Sequence, residues 1–207
     1  MRCTKPEAEA VCRRLSCVHP TVCKLLGTSH EPTKALMREA RAVPGVVKVH
    51  IASGIRMDLA RKDPEYLDEL AAHHVGGHLS LAPEHVSERV LARMKKPGIE
   101  AFEEFAERFE AASRRAGKEQ FLVPYFIASH PGSTVEDMIE LAIFLKQRGY
   151  RPRQVQDFIP APMDLATCMY WTGLDPFSMK PVETARKLHD RKVQRALLQF
   201  FAPENYF

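Results

Sequence analysis

From Glu31 onward the chain alternates between stretches with apolar residues at helical spacing and short runs rich in β-branched or aromatic residues. Pro32 suits a helix start, and Leu36, Met37 and Ala40 follow at helical spacing until Pro44-Gly45. Val46 to Ser53 then reads as a strand ending at Gly54. Asp63-Pro64 opens a helix through His73, broken by Gly76-Gly77, and His78 to Ala82 is a short strand closed by Pro83. Ser87 to Lys96 is helical up to Pro97-Gly98. Ile99 to Ala116 is a long amphipathic helix with Phe102, Phe105, Phe109 and Ala112 on one face, stopped by Gly117. Gln120 to Ala128 reads as a buried strand in which Pro124 argues for an edge position or a bulge. Ser133 or Thr134, followed by Glu136 and Asp137, caps a helix running to Arg148 with Met138, Leu141, Ala142 and Leu145 inward. A fourth strand spans Gln154 to Ile159. A short helix near Leu165–Trp171 and a last helix from about Val182 to Phe201 complete the pattern, and that last helix could cover a sheet edge.

Strand–helix alternation repeated four times implies βαβ units, a parallel sheet and right-handed crossovers. Four strands are too few for an eight-stranded barrel. The predicted fold is therefore α/β, a partial (β/α) barrel of about four parallel strands with flanking helices. Residues 1–30 show no clean periodicity and are expected to be an irregular, Cys-rich segment. The barrel portion is expected over 31–180 and a closing helix and tail over 181–207.

Composition adds bounds. A length of 207 residues, 45% hydrophobic and 27% charged, fits one soluble domain that can bury a core. A net charge of +4 is too weak and scattered to indicate nucleic acid, and the pairs Arg13–Arg14, Arg114–Arg115 and Arg191–Lys192 read as solvated helix faces. No apolar run approaches the ~20 residues of a membrane helix, and the N-terminus lacks a leader pattern, so a cytoplasmic protein is expected. Four of the five cysteines, Cys3, Cys12, Cys17 and Cys23, lie in the first 23 residues, separated by eight, four and five residues. Four thiolates suffice for a tetrahedral site, although no tight Cys-x-x-Cys pair is present; oxidisable free thiols or two disulfides are the alternatives. Cys168, beside Met169 and Tyr170, is expected to be packed, as are Tyr170 and Trp171. His73, His74 and His78 are read as helix-end residues rather than a metal site.

In parallel α/β folds chemistry gathers at the C-terminal ends of strands. The four predicted ends carry Ala52-Ser53-Gly54-Ile55-Arg56-Met57-Asp58, Ala82-Pro83-Glu84-His85, Ala128-Ser129-His130-Pro131-Gly132 and Gln156-Asp157-Phe158-Ile159-Pro160. Each has a plain reading: an Arg56–Asp58 ion pair, a helix cap at Glu84-His85, a tight turn at His130-Pro131-Gly132. Their recurrence at four consecutive ends favours a common ligand-binding rim.

IASGIRMDLA, HHVGGHLSLAPEHVSERVLARMKKPG, GKEQFLVPYFIASHPGSTVEDM and QVQDFIPAPMDLATCMY, with the early cysteine segment and KLHDRKVQRALLQFFAPENY, resemble the YgiQ family of uncharacterised radical S-adenosylmethionine (SAM) proteins over nearly the whole length. The Cys-x-x-x-Cys-x-x-Cys that ligates the SAM-binding [4Fe–4S] cluster in such proteins is absent here. The resemblance implies the C-terminal portion of a radical SAM region in an iron–sulfur oxidoreductase, not expected to cleave SAM by itself. It places Ser80, Glu84 and His85 at the ribose and methionine part of SAM. Ile127, Pro131, Gly132 and Phe158 fall at the adenine, and Ser53 and Arg56 near the methionine carboxylate. It makes Cys3, Cys12, Cys17 and Cys23 ligands of an auxiliary [4Fe–4S] cluster, or of zinc in a non-catalytic scaffold. Besides SAM, the expected partner is a second copy of the chain, through exposed sheet edges.

Overall fold

The computed structural model of the chain describes residues 3–153 and 155–205. Helices α1 (Pro6–Ala10), α2 (Glu31–Ala42), α3 (Met57–Ala60) and α4 (Pro64–Glu69) precede a π-helical turn (Leu70–His74) and strand β1 (His78–Glu84). Helices α5 (Glu88–Arg93) and α6 (Glu100–Arg115) lead to β2 (Phe121–Ala128), and α7 (Val135–Gln147) to β3 (Gln156–Asp157). Helices α8 (Leu165–Thr172) and α9 (Leu188–Leu198) come next, with a short 3₁₀ turn at Pro203–Asn205. The fold is mixed α/β: a small open parallel sheet of order β1-β2-β3, flanked by helices. In the register between β2 and β3, Ile127 faces Gln156 and Ala128 faces Asp157.

The chain forms two units, residues 1–82 with 100–123, and residues 83–99 with 124–207. In the first, α6 is amphipathic as predicted. Phe102, Phe105, Phe109 and Ala112 are all buried, with α3, α4 and the π-helical turn packed against the helix. Leu67, Leu70, Leu79 and Leu81 complete that core. Lys34 of α2 is buried and meets Glu31, Asp63 and Glu65 at 3.0, 3.5 and 3.1 Å, because a desolvated ammonium requires carboxylates around it. In the second unit, Phe126, Ala128, Met138, Leu141, Leu145 and Leu198 form one cluster, so α9 packs on α7. Phe158, Ala166, Met169 and Val182 form another.

The strand expected at Val46–Ser53 is not a strand. Val47 is 88% exposed, so its β-branched side chain has no surface to pack on. The segment touches its neighbours through Ile51 N–H to the His74 carbonyl (3.0 Å) and Ile55 N–H to the Ser80 carbonyl (3.3 Å). Only Ile55 makes a parallel bridge, to Leu81. The fourth expected strand shrinks to Gln156–Asp157, with Gln154 outside the described residues. Its partner runs out: β2 ends at Ala128, and Ser129 turns away at φ +62° after one more bond, Phe158 N–H to the Ala128 carbonyl. The Cys-rich segment contains helix α1 and is not wholly irregular. Cys168 is exposed and Trp171 is 68% exposed, against the expectation that both pack; Tyr170 does pack, against Phe158. The last helix starts six residues later than expected, because Val182 and Glu183 are drawn into backbone bonds with Gly173 and Gly132.

Gln194 of α9 holds the loop after β2. Its side-chain oxygen accepts from Ser129 N–H (2.9 Å) and its amide donates to the Ser133 carbonyl (3.0 Å), all buried. Gln194→Leu strands two buried backbone groups, and urea unfolding should show a loss of about 2–4 kcal/mol.

Candidate functional site

In the second unit, a cavity of about 390 Å³ opens where β1, β2 and β3 end. It is lined by Glu84, Ile127, His130 and Phe158 from the strand ends, Arg93, Lys95 and Lys96 from the end of α5 and the turn after it, and Asp164 and Leu165 at the start of α8. The size is that of a small-molecule site.

The backbone is strained around it. Glu84, the last residue of β1, has φ +70°, Lys95 has φ +55°, and Ser129, one residue past β2, has φ +62°. Left-handed conformations in non-glycine residues are uncommon and cluster at functional sites. At Glu84 the conformation turns the carboxylate to Lys96, 3.1 Å away. Gly132 has φ +89°, and a Cβ there would lie 2.5 Å from Arg93 Cδ. Glycine is therefore required twice over: for its dihedral, and to let the Arg93 side chain lie against the turn. Arg93 Nε is buried without a hydrogen-bond partner among the described residues, so this cavity-lining guanidinium retains donor capacity.

His85 is fully buried and lines no part of that cavity. Its Nδ1 accepts from the N–H groups of Val86 and Ser87 (3.0 Å each), so the ring is neutral and caps the entry to α5. Burial pushes its pKa down to about 4, with the Asp137 carboxylate opposing and His130 and Arg89 reinforcing the shift. His130 is also buried, and burial lowers its pKa despite the bond from Nδ1 to the Pro131 carbonyl (2.9 Å). Nε2 is then its lone-pair nitrogen. Its ring meets Phe158 edge-on at 5.4 Å, and Phe158 meets Tyr170 at 5.8 Å, so aromatic contacts set the apolar wall.

Of the rim residues expected from the sequence, the cavity gathers Glu84, Ile127 and Phe158. Gly132 supports it from behind Arg93, and Pro131 holds His130. Ser53, Arg56 and Ser80 belong to the first unit, where Arg56 forks onto the buried Asp58 through Nε (2.9 Å) and Nη2 (3.0 Å), the plain ion-pair reading. Arg93, Lys95 and Asp164 were missed as site residues. Arg93 and Lys95 sit at and just after a helix end and Asp164 beyond the β3 loop; all three fall within the segments HHVGGHLSLAPEHVSERVLARMKKPG and QVQDFIPAPMDLATCMY that carry the resemblance, but nothing singles them out there.

Cys3, Cys12, Cys17 and Cys23 are free thiols. Cys12 and Cys17 are exposed, and the backbone joins Cys23 to Cys17 (N–H to carbonyl, 2.7 Å) and Cys3 to Leu26. Among the described residues, no three His, Cys, Asp or Glu side chains converge as metal ligands. As placed, the arm does not fit a metal ion or cluster.

The fold is thus of the α/β class, with a cavity at the C-terminal ends of its strands that is lined by charged, apolar and aromatic residues. Over its whole length the chain matches one portion of longer proteins named UPF0313 (YgiQ). It is 46% identical over 211 residues to UPF0313 protein YgiQ of Escherichia coli, covering 100% of this chain and 29% of that protein. It is 49% identical over 209 residues to a UPF0313 protein of Shewanella oneidensis (99% and 27%), and 47% identical over 212 residues to one of Bradyrhizobium diazoefficiens (100% and 32%). The chain thus spans about three-tenths of the length of these relatives. Residues 153–207 match a family described as a domain of unknown function, DUF3362. No helix among the described residues is long and apolar enough to cross a membrane.

The pKa shift of His85 gives a pH test. The unfolded ring takes up a proton below about 6.5, whereas the folded ring resists until about 4. Stability is therefore undiminished above 6.5 and falls as the pH drops from there to about 4. His85→Asn keeps an acceptor for the two N–H groups without titrating. Relative to that variant, the wild type should lose stability of the order of 3 kcal/mol across this window, measured by denaturant unfolding at a series of pH values.

Proposed function

We propose that this chain forms part of the SAM pocket of a radical SAM iron–sulfur oxidoreductase, in the longer protein whose relatives it resembles. The supporting observation is the cavity itself. It lies at three consecutive strand ends and is lined both by carboxylates and cations and by the apolar Ile127, Phe158 and Leu165. An adenosyl group with a charged methionine tail needs those two surfaces together.

The roles derive from chemistry. Glu84 accepts from ribose hydroxyls, and its pairing with Lys96 keeps the carboxylate in place. Ile127 and Phe158 pack on the base. Arg93, with donor capacity left over, takes a carboxylate. Pro131 and Gly132 shape the turn on the adenine side, and His85 positions that turn and α5 rather than touching the ligand. Ser53, Arg56 and Ser80 lie in the first unit, and no role at this cavity is proposed for them. When bound, SAM would supply the radical chemistry, given an electron from an iron–sulfur cluster. This chain lacks the Cys-x-x-x-Cys-x-x-Cys spacing for that cluster, so alone it is not expected to cleave SAM reductively. The substrate is not specified by anything in the cavity.

Calorimetric titration with SAM should show binding to the wild type that weakens roughly tenfold in Glu84→Gln and in Phe158→Ala, each removing interactions worth about 1.4 kcal/mol or more. Failure of the longer, cluster-loaded protein to bind SAM would overturn the reading.

An auxiliary cluster or zinc on the arm would require the four thiols to be drawn together from their present positions. The expected result of iron, sulfide and zinc analysis after anaerobic purification is less than one metal site per chain. Stoichiometric metal that disappears when Cys3, Cys12, Cys17 and Cys23 are changed to Ser would reverse this. If that metal were zinc, the arm would be a structural element of a non-catalytic scaffold.

A further inference from the structure

A second concave site lies on the second unit, on α9 and the segment before it. A cavity of about 320 Å³ is lined by Arg186, Arg191, Lys192 and Arg195, with Leu188 and Asp157. Four cations thus surround one carboxylate. Two of them are held in place: Arg186 donates to the carbonyls of Tyr170 and Trp171, and Arg191 donates to the Phe158 carbonyl at 3.0 Å. Arg195 approaches Asp157 only to 3.9 Å, and Lys192 has no ion-pair partner among the described residues. Arg191 and Arg195 are one helical turn apart, where like charges repel. Arg191 and Lys192 also lie in the first half of α9, toward the end at which the helix dipole disfavours positive charge, whereas Arg195 is in the last turn. Self-repulsion of this kind, gathered around a hollow and balanced by one carboxylate, is relieved by a bound anion.

We propose that this cavity binds a phosphate-bearing ligand carrying two adjacent phosphate groups. The lining has a net charge of +3. A single phosphate monoester supplies about −1.5 to −2, so two neighbouring groups match the lining better than one. The guanidinium groups of Arg186 and Arg191 are anchored by backbone carbonyls and keep further N–H donors for phosphate oxygens, whereas Lys192 and Arg195 are free to close on the ligand. The site is separate from the strand-end cavity and does not rest on the reading given to it.

Trp171 is the only tryptophan of the chain, and its backbone carbonyl accepts from Arg186 of the lining, so its emission is a second readout beside calorimetry. Pyrophosphate should be titrated into the full chain at physiological ionic strength, monitored by calorimetry and by Trp171 emission. The expected result is saturable binding that weakens with added salt and falls roughly tenfold or more in Lys192→Gln/Arg195→Gln, through the loss of charge-assisted hydrogen bonds. These two side chains hold no backbone group, so the thermal midpoint of the variant should be unchanged. Arg114→Gln, on the exposed face of α6, should bind like the wild type. A single-stranded RNA that binds more tightly than pyrophosphate, with the same loss in the double variant, would assign the phosphates to a nucleic-acid backbone. Pyrophosphate binding without that gain would assign them to a small molecule. No binding of either, or binding that the double variant leaves unchanged, overturns the proposal.

Discussion

The carboxylate of Asp137 is the constraint on which the strand-end region depends. It is buried, and a buried carboxylate must be surrounded by donors. Ser87 Oγ donates to it at 2.7 Å, Thr134 donates through its N–H (2.8 Å) and hydroxyl (2.9 Å), and Arg89 forms an ion pair. Burial alone would push its pKa up, but the Thr134 backbone, the two hydroxyls and Arg89 outweigh this and hold it below the ordinary aspartate value. One side chain thereby completes the capping box of α7 and fastens the start of α5 to it. His85 and the turn from Ser129 to Ser133 are enclosed between these two helix starts.

That enclosure is what lets Glu84 and Ser129 keep left-handed backbones. A strained residue persists only where its surroundings over-determine it. Glu84 immediately precedes the ring that caps α5, and Ser129 N–H is held by the buried Gln194. The result is a rigid rim on which Glu84, Arg93 and His130 sit beside the aromatic wall of Phe158. Preorganised groups of this kind bind without first having to be ordered.

The long amphipathic segments were legible in the sequence because one period settles them. Phe102, Phe105, Phe109 and Ala112, spaced three and four residues apart, define a buried stripe, and Thr134 with Asp137 marks a helix start that the structure shows. Strands were legible where at least one face finds cover. Leu79 and Leu81 alternate into a core and form β1, whereas Val46 and Val47 carry the same propensity and stay exposed. Of the rim, the strand-end residues Glu84 and Phe158 could be placed from order alone, since each follows or ends an apolar run, whereas Ile127 came only from the family resemblance. Arg93, Lys95 and Asp164 could not be found that way, because their position depends on how a helix end and a distant loop fold back. The clustering of Arg186, Arg191, Lys192 and Arg195 was equally hidden, since only helical geometry and the preceding turn bring them around one hollow.

The two units are interleaved along the chain. The first is closed by residues 100–123 only after residues 83–99 have been committed to the second. During synthesis neither can be complete when its first segment emerges. The early strand and helices must wait for α6, which supplies the phenylalanines of their core. No single cut separates the units into contiguous pieces, so they cannot be exchanged between proteins like beads on a string. Inheritance and recombination must carry residues 1–123 together with residues 124–207. The two cores are therefore tied into one evolutionary and folding unit by the order in which the chain visits them.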